Sequence, residues 1–231
     1  MWKLFFPNKS KNDQIVIPAQ TIIDFADSKK YNQQDSKNQQ YSTTLPSPAE
    51  VASALSQVTS FINIPSNCNS IIQIPKLISS IIQLQTYKSQ IRDQSRILLI
   101  QMRLSGDESV QEQLINSGYI QSIAFMTSLC SGCSRESTDE ISLTLQYFSH
   151  LISQLNHGRS VQNPFPPQPT LAKISGENIE ECGFYEEIDG QLVNVSEFNS
   201  QIVESATLSK SAIQNIYIDP SNPRPYLYKQ F

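Results

Sequence analysis

The chain has 231 residues, a net charge of −4 and 39% apolar residues. That apolar fraction suffices for a core, although it lies below the globular average of roughly 45–50%. Uncharged polar side chains fill the difference, with 33 serines, 24 glutamines and 15 asparagines. We expect such side chains to solvate a surface without creating a strong field. The negative net charge argues against general nucleic-acid binding through phosphate neutralisation.

The charge is unevenly distributed. Residues 1–120 carry a net charge of +2 and residues 121–231 a net charge of −6. The acidic excess concentrates at Glu177, Glu180, Glu181, Glu186, Glu187 and Asp189. Their spacing does not match a calcium-binding loop, so we interpret them as a solvated helix face, with a patch for a basic partner as the alternative.

Cysteine usage and hydropathy indicate a cytoplasmic protein with reduced thiols. Four cysteines are too few for a disulfide scaffold in a chain of this length. The apolar opening stops at Pro7, which is too early for a signal-peptide core. No run approaches the ~20 apolar residues that a membrane span needs, so no membrane partner is expected.

Residues 1–45 are predicted to be a largely flexible N-terminal extension. A short helix is compatible with residues 15–25, after Pro18. Residues 28–44 contain almost nothing to bury and are interpreted as a mobile linker.

The first clear helix start is Ser47-Pro48-Ala49-Glu50. Serine at the cap, proline at the first helical position and glutamate three residues after the cap form a capping box. Apolar residues then follow at helical spacing, at Val51, Leu55, Val58 and Ile62.

Further helices are predicted over residues 66–73, 75–86, 89–104, 107–116 and 119–129, and from Ser137 or Thr138 to Gly158. The last of these has the most regular amphipathic stripe in the chain, made of Ile141, Leu145, Phe148, Ile152 and Leu155. Residues 159–176 are Pro-rich, so we expect no helix to cross them. The predicted organisation is an extension (1–45), helices (46–158), a Pro-rich loop (159–176), a last helical group (177–219) and a tail (220–231).

Two segments of the chain are similar to each other. Gln113-Leu-Ile-Asn-Ser-Gly-Tyr-Ile-Gln-Ser-Ile123 aligns with Asn178-Ile-Glu-Glu-Cys-Gly-Phe-Tyr-Glu-Glu-Ile188 at an offset of 65. The segment that starts at Ile74-Pro75 aligns with Ile120 onward at an offset of 46, which places Ile72 where glycine would stand. Over residues 66–217, this pattern resembles the armadillo repeat, with a short helix, a turn often marked by glycine, a second helix and a longer third helix.

The resemblance implies an all-α fold, a short right-handed α-solenoid of about three repeats. No single unit can bury its apolar stripe alone, and stacked units create a continuous core. A HEAT-like stack and an irregular helical bundle remain open alternatives.

In armadillo proteins the third helices line a groove, in which peptide-carrying members use one Trp and one Asn per repeat. The resemblance places His150 and Asn215 at the Asn position, and Gln146 and Ser211 at the Trp position. The one tryptophan, Trp2, lies outside the repeats, so a nuclear-import type of peptide ladder is not supported. The alternative interpretation of these residues is ordinary exposed polar side chains.

The Pro-rich loop is a second candidate for partner binding. Pro164, Phe165 and Pro167 stand in a PxxP arrangement, which suits a polyproline II ligand. A plain connecting loop is the alternative.

Catalytic and metal-binding patterns are weak. Cys130-x-x-Cys133 lacks the second ligand pair of a metal site and the βαβ context of a redox motif. The two histidines, His150 and His157, come without a nucleophile elbow or a phosphate-binding Gly-rich loop. We therefore expect no cofactor, no metal and no catalysis.

The favoured hypothesis is a non-catalytic adaptor or scaffold that binds one or more protein partners. The alternative is a structural subunit of a larger assembly, in which the extension and the aromatic tail become ordered. A third hypothesis is an enzyme that uses Cys130 or Cys133.

Overall fold

A computed structural model describes residues 13–34, 45–87, 90–128, 138–161, 163–193 and 200–214. Within these ranges the chain forms helices and no strand, which confirms the all-α prediction. The helices are α1 Asp13–Gln34, α2 Pro48–Ile62, α3 Pro65–Ile71, α4 Leu77–Leu84, α5 Gln90–Ser105, α6 Glu108–Asn116, α7 Tyr119–Ser128, α8 Thr138–His157, α9 Pro169–Glu181, α10 Phe184–Val193 and α11 Ser200–Gln214.

The described residues divide into two compact units. The first holds the described chain up to Ser122 together with Arg159–Phe165. The second holds the described residues from Ile123 to Gly158 and from Pro166 onward. Helix α7 therefore begins in the first unit and ends in the second.

The helices predicted between residues 47 and 158 are confirmed to within a few residues. The capping box at the start of α2 is present: the Glu50 N–H donates to Ser47 Oγ (3.3 Å), and the Ser47 N–H donates to Glu50 Oε2 (2.7 Å). The predicted apolar stripe of α8 is buried along its whole length.

Helix α1 contains the short helix that was expected within residues 15–25 and extends beyond it at both ends, over residues 13–34. Helix α1 runs through Pro18 and continues into the region interpreted as a linker. It is held because Ile15, Ala19, Ile22 and Ala26 recur at helical spacing and are buried, in a unit where α1 packs against α2 and α4. Residues 1–12 and 35–44 lie outside the described ranges.

The Pro-rich loop is shorter than predicted. Helix α9 begins at Pro169 and crosses the residues assigned to the end of that loop. Proline fits here because the N–H groups of the first helical turn have no intrahelical partner. The last helical group is accordingly α9, α10 and α11, and the tail lies outside the described residues.

In the first unit, α5 is the central element. It packs against α2, α3, α4 and α6, and α1 covers α2 and α4. The core at these contacts is aliphatic, and its fully buried members include Leu55, Val58, Leu77, Ile81, Leu98 and Leu99. Because α3, α4 and α6 have only 7 to 9 residues, they depend on this packing; isolated helices shorter than about 12–15 residues are marginal in water.

Three short connections share a left-handed residue directly before the next helix. Gly118 (φ 93°) precedes α7 and Gly183 (φ 66°) precedes α10, so the aligned glycines occupy equivalent turns. Before α4 the left-handed residue is Lys76 (φ 65°). The sequence alignment had instead placed Ile72 at the position of the turn glycine. Glycine adopts such a φ without the steric cost that lysine carries.

In the second unit, α8 and α11 pack side by side, and serine side chains form hydrogen bonds between them. Ser142 Oγ lies 2.8 Å from Ser205 Oγ, and Ser209 Oγ donates to the Leu145 carbonyl (2.9 Å). Since the partners advance in the same direction along both helices, α8 and α11 run parallel. Helices α9 and α10 complete this unit, in which the rings of Phe148 and Phe184 meet edge to face at 4.7 Å.

Glu50→Gln is expected to destabilise the protein near pH 7 but not in acid. The pKa of Glu50 is lowered, first by the hydrogen bond from the Ser47 backbone N–H and then by the Ser47 side chain. A carboxylate with a lowered folded-state pKa stabilises the fold above its unfolded-state pKa, and this contribution is lost as the pH falls through the folded-state value.

Thermal unfolding followed by circular dichroism at both pH values measures this difference. Glu112→Gln, at an exposed position within α6, is the matched control. Equal destabilisation of Glu50→Gln at neutral and acidic pH would contradict the prediction.

Ser205→Leu is expected to destabilise the second unit. Ser205 is 1% exposed between α8 and α11, so the larger side chain must push these helices apart, at a cost of about 1–3 kcal/mol. Urea unfolding measures the change. Thr207→Leu, at an exposed position of the same helix, is expected to be nearly neutral, and a similar loss in both variants would refute the steric explanation.

Candidate partner-binding surfaces

The residues predicted to line an armadillo-type groove fall on α8 and α11. His150 is exposed on α8, and Ser211 is half-buried on α11. Gln146 lies between these helices, where its Nε2 donates to Ser205 Oγ (3.2 Å) and Ser142 Oγ (3.4 Å). Asn215 lies outside the described residues.

The structure thus brings Gln146 to α11 but leaves His150 directed at solvent. The carboxamide nitrogen of Gln146 is already engaged by two serine hydroxyls, so its present contacts are those of a helix-packing residue. A partner-binding role for His150 and Ser211 stays a prediction.

In the Pro-rich loop, the prolines and the aromatic residue have different environments. Pro164 and Pro167 are exposed, whereas Phe165 is buried, with its ring centroid 4.7 Å from the guanidinium carbon of Arg159. A partner would therefore meet the prolines rather than Phe165. The role of all three residues in partner binding stays a prediction.

A further surface, which the sequence did not reveal, is an open groove of about 370 Å³ in the first unit. Two helices form it, the first half of α2 and the start of α5. Among the described residues its lining has no charged member and consists of Ala49, Ala52, Ser53, Ser56, Gln57, Gln90 and Gln94.

The α2 side of the groove has no charged residue among those described, because of which residues this helix buries. The apolar stripe of α2 is buried, so Ser53, Ser56 and Gln57 are left on the opposite, exposed side. The α2 side of the groove could have been predicted from the helical spacing of the apolar residues in α2. No sequence signal indicates that Gln90 and Gln94, on a helix three elements later, complete the groove.

The groove offers hydrogen-bonding groups that the protein itself leaves largely unused. Gln57 Nε2 donates to Ser53 Oγ (3.2 Å), which orients that carboxamide. Within the described part of the chain, the carboxamides of Gln90 and Gln94 make no hydrogen bond. Each carboxamide can donate and accept, as a peptide group does.

The described cysteines are poorly suited to nucleophilic chemistry. Cys68 is buried, and its burial, with a smaller contribution from Asp107, raises the pKa of its thiol to about 12. Burial also raises the pKa of the half-buried Cys182. Cys130 and Cys133, the predicted enzymatic pair, lie outside the described ranges. Among the described residues, no group of three or more side chains of metal-ligating type is placed to hold a metal ion.

The acidic residues of α9 and α10 are mostly solvated. Glu177, Glu180, Glu181 and Glu186 are exposed. Asp189 forms an ion pair with Lys210 (2.6 Å), and Lys210 also lies 5.3 Å from the centroid of the Tyr185 ring. This pair ties α10 to α11.

Comparison with family models, curated proteins and solved structures finds no match for this chain. Within the described ranges, none of the helices is both long enough and apolar enough to cross a membrane.

Cys68 is expected to resist alkylation in the folded protein. With a pKa of about 12, only about one thiol in ten thousand is ionised at pH 8, and the thiolate is the reactive form. Iodoacetamide labelling followed by peptide mass spectrometry should modify the more exposed Cys182 first and Cys68 only after denaturation. Labelling of both at equal rates in the folded state would refute this.

Proposed function

We propose that this protein is a non-catalytic adaptor or scaffold that binds a protein partner, with the groove between α2 and α5 receiving an extended segment of that partner. The supporting observation is that, among the described residues, the groove lining is uncharged and the carboxamides of Gln90 and Gln94 make no hydrogen bond. The free thiols of Cys68 and Cys182 are compatible with the reducing cytoplasm, where we place it.

The proposed architecture is a short right-handed α-solenoid of about three armadillo-like repeats. Its support is the order of helix lengths, in which two shorter helices precede a longer one three times: α3, α4, α5; α6, α7, α8; and α9, α10, α11. The left-handed residues Lys76, Gly118 and Gly183, each directly before the middle helix, give the three groups a common turn.

Helix geometry explains why an extended segment suits the groove. Residues four apart on a helix are separated by about 6 Å along its axis, and alternate residues of an extended chain by about 6.6 Å. The carboxamides of Gln90 and Gln94 therefore match alternate peptide groups of a segment that runs along α5. A charged side chain in the same place would lose water without gaining a counter-charge.

Displayed random peptides test this proposal, since the partner is unidentified. Peptides selected on the full chain should lose about tenfold or more in affinity for Ser56→Arg, which places a bulky cation in the groove, as measured by isothermal titration calorimetry. Ser60→Arg, an exposed serine of α2 outside the groove, should change the affinity less than about twofold.

Two outcomes would overturn the proposal. One is that selection enriches no peptide that binds the purified protein. The other is that both arginine variants bind the selected peptides equally well, which would place the binding surface elsewhere.

A further inference from the structure

The end of α5 is capped by a loop that comes from far along the chain. The guanidinium of Arg159 donates to the carbonyls of Arg103 (3.1 Å), Leu104 (3.2 Å) and Gly106. Asn163 Nδ2 donates to the remaining carbonyl of this run, that of Ser105. Carbonyls at a helix C-terminus lack intrahelical partners, so Arg159 and Asn163 satisfy four consecutive carbonyls at the end of α5. Two of these, those of Arg103 and Gly106, also accept from Gln111 Nε2 (2.8 and 3.3 Å).

The loop is internally braced for this task. Arg159 and Phe165 exchange two backbone hydrogen bonds (2.9 and 3.0 Å), which close residues 159–165 into a ring. Arg159 Nε and Nη2 also donate to the Asn163 carbonyl (3.1 and 2.8 Å), and its guanidinium lies over the Phe165 ring. Arg159 is 8% exposed, and its planar fork suits several acceptors at once.

The loop, residues 159–165, belongs to the first unit, and the residues that flank it on both sides belong to the second. Gly158 follows the last residue of α8, and Gln168 directly precedes α9. The Gln168 N–H donates to the Leu155 carbonyl (2.7 Å), which ties the start of α9 to the end of α8. When the second unit is folded, this hydrogen bond therefore holds the two chain segments that flank the loop close together.

We propose that residues 159–165 are a latch through which the stability of the α5 C-terminus depends on the folding of the second unit. With α8 and α9 folded, the loop is already closed and presents Arg159 and Asn163 at a high effective concentration. With them unfolded, the same contacts must also overcome the entropy of bringing the loop ends together. The end of α5 then keeps only the side-chain hydrogen bonds from Gln111 Nε2 to the carbonyls of Arg103 (2.8 Å) and Gly106 (3.3 Å).

A cycle of four full-length proteins tests this by hydrogen exchange: wild type, Phe148→Ala, Arg159→Met and the double variant. Phe148 is fully buried in the second unit, so its truncation destabilises that unit. Methionine replaces the apolar stem of arginine and removes the guanidinium. The readout is exchange of the backbone amides of residues 98–116, which span the end of α5 and α6.

In the wild-type background, Phe148→Ala should raise exchange in residues 98–116 by about tenfold or more. In the Arg159→Met background, the hydrogen bonds from the guanidinium to the end of α5 are already lost. The same change should therefore add less than about twofold. Exchange in residues 141–155 should rise with Phe148→Ala in both backgrounds, which verifies that the second unit was destabilised.

Two results would overturn the latch: no effect of Phe148→Ala on residues 98–116 in the wild-type background, or an equal effect in both backgrounds. Should Phe148→Ala fail to fold, Ile152→Val, a smaller truncation at a buried position of the same helix, gives the same comparison. Arg159→Lys, which keeps the charge but not the fork, is expected to behave like Arg159→Met.

Discussion

The structure depends on short helices that cannot stand alone and must bury their apolar stripes against one another. Several of the described helices have ten residues or fewer, and isolated helices of that length are marginal in water. The boundaries of these helices are therefore set by capping interactions at their ends as much as by helix propensity. Ser47 and Asp107 accept hydrogen bonds from first-turn amides, and left-handed residues redirect the chain between helices.

Much of the helix pattern could be predicted because it is local. The capping box at Ser47 and the apolar stripe of α8 each involve residues of a single helix, and both are present. The length of helix α1 was underestimated because the polar residues after Phe25 indicated a linker, although the helix continues to Gln34. The register of the turn before α4 was missed because lysine, unlike glycine, gives no sign of a left-handed φ.

The candidate surfaces could be predicted far less well, since they depend on contacts between helices distant in the chain. Gln146 resembled a groove residue, yet Ser205, much later in the sequence, engages it. Phe165 resembled part of a peptide ligand, yet it supports Arg159. The groove between α2 and α5 required the pairing of two helices that periodicity alone cannot establish.

The high content of uncharged polar residues has a use beyond solvation. Serines and glutamines occupy buried positions where helices approach closely, and they include Ser95, Gln111, Ser175, Gln191, Ser205 and Ser209. A buried serine hydroxyl can donate to a carbonyl of its own helix, as Ser175 does to Leu171 (2.8 Å), or bridge to a neighbouring helix, as Ser209 does. The hydroxyls of these two serines are thereby satisfied, as buried polar groups usually are, whereas Oε1 of Gln111 and of Gln191 has no hydrogen-bond partner among the described residues.

Helix α5 joins the two proposals while keeping them separable. Its 16 residues span about 24 Å, with Gln90 and Gln94 in the first turns and the carbonyls bound by Arg159 at the opposite end. Fraying on loss of a cap concentrates in the terminal turn, so an open latch loosens the end near Gly106 and leaves the groove residues helical. The proposed partner binding and the proposed coupling to the second unit thus involve opposite ends of one helix, and the failure of either proposal leaves the other intact.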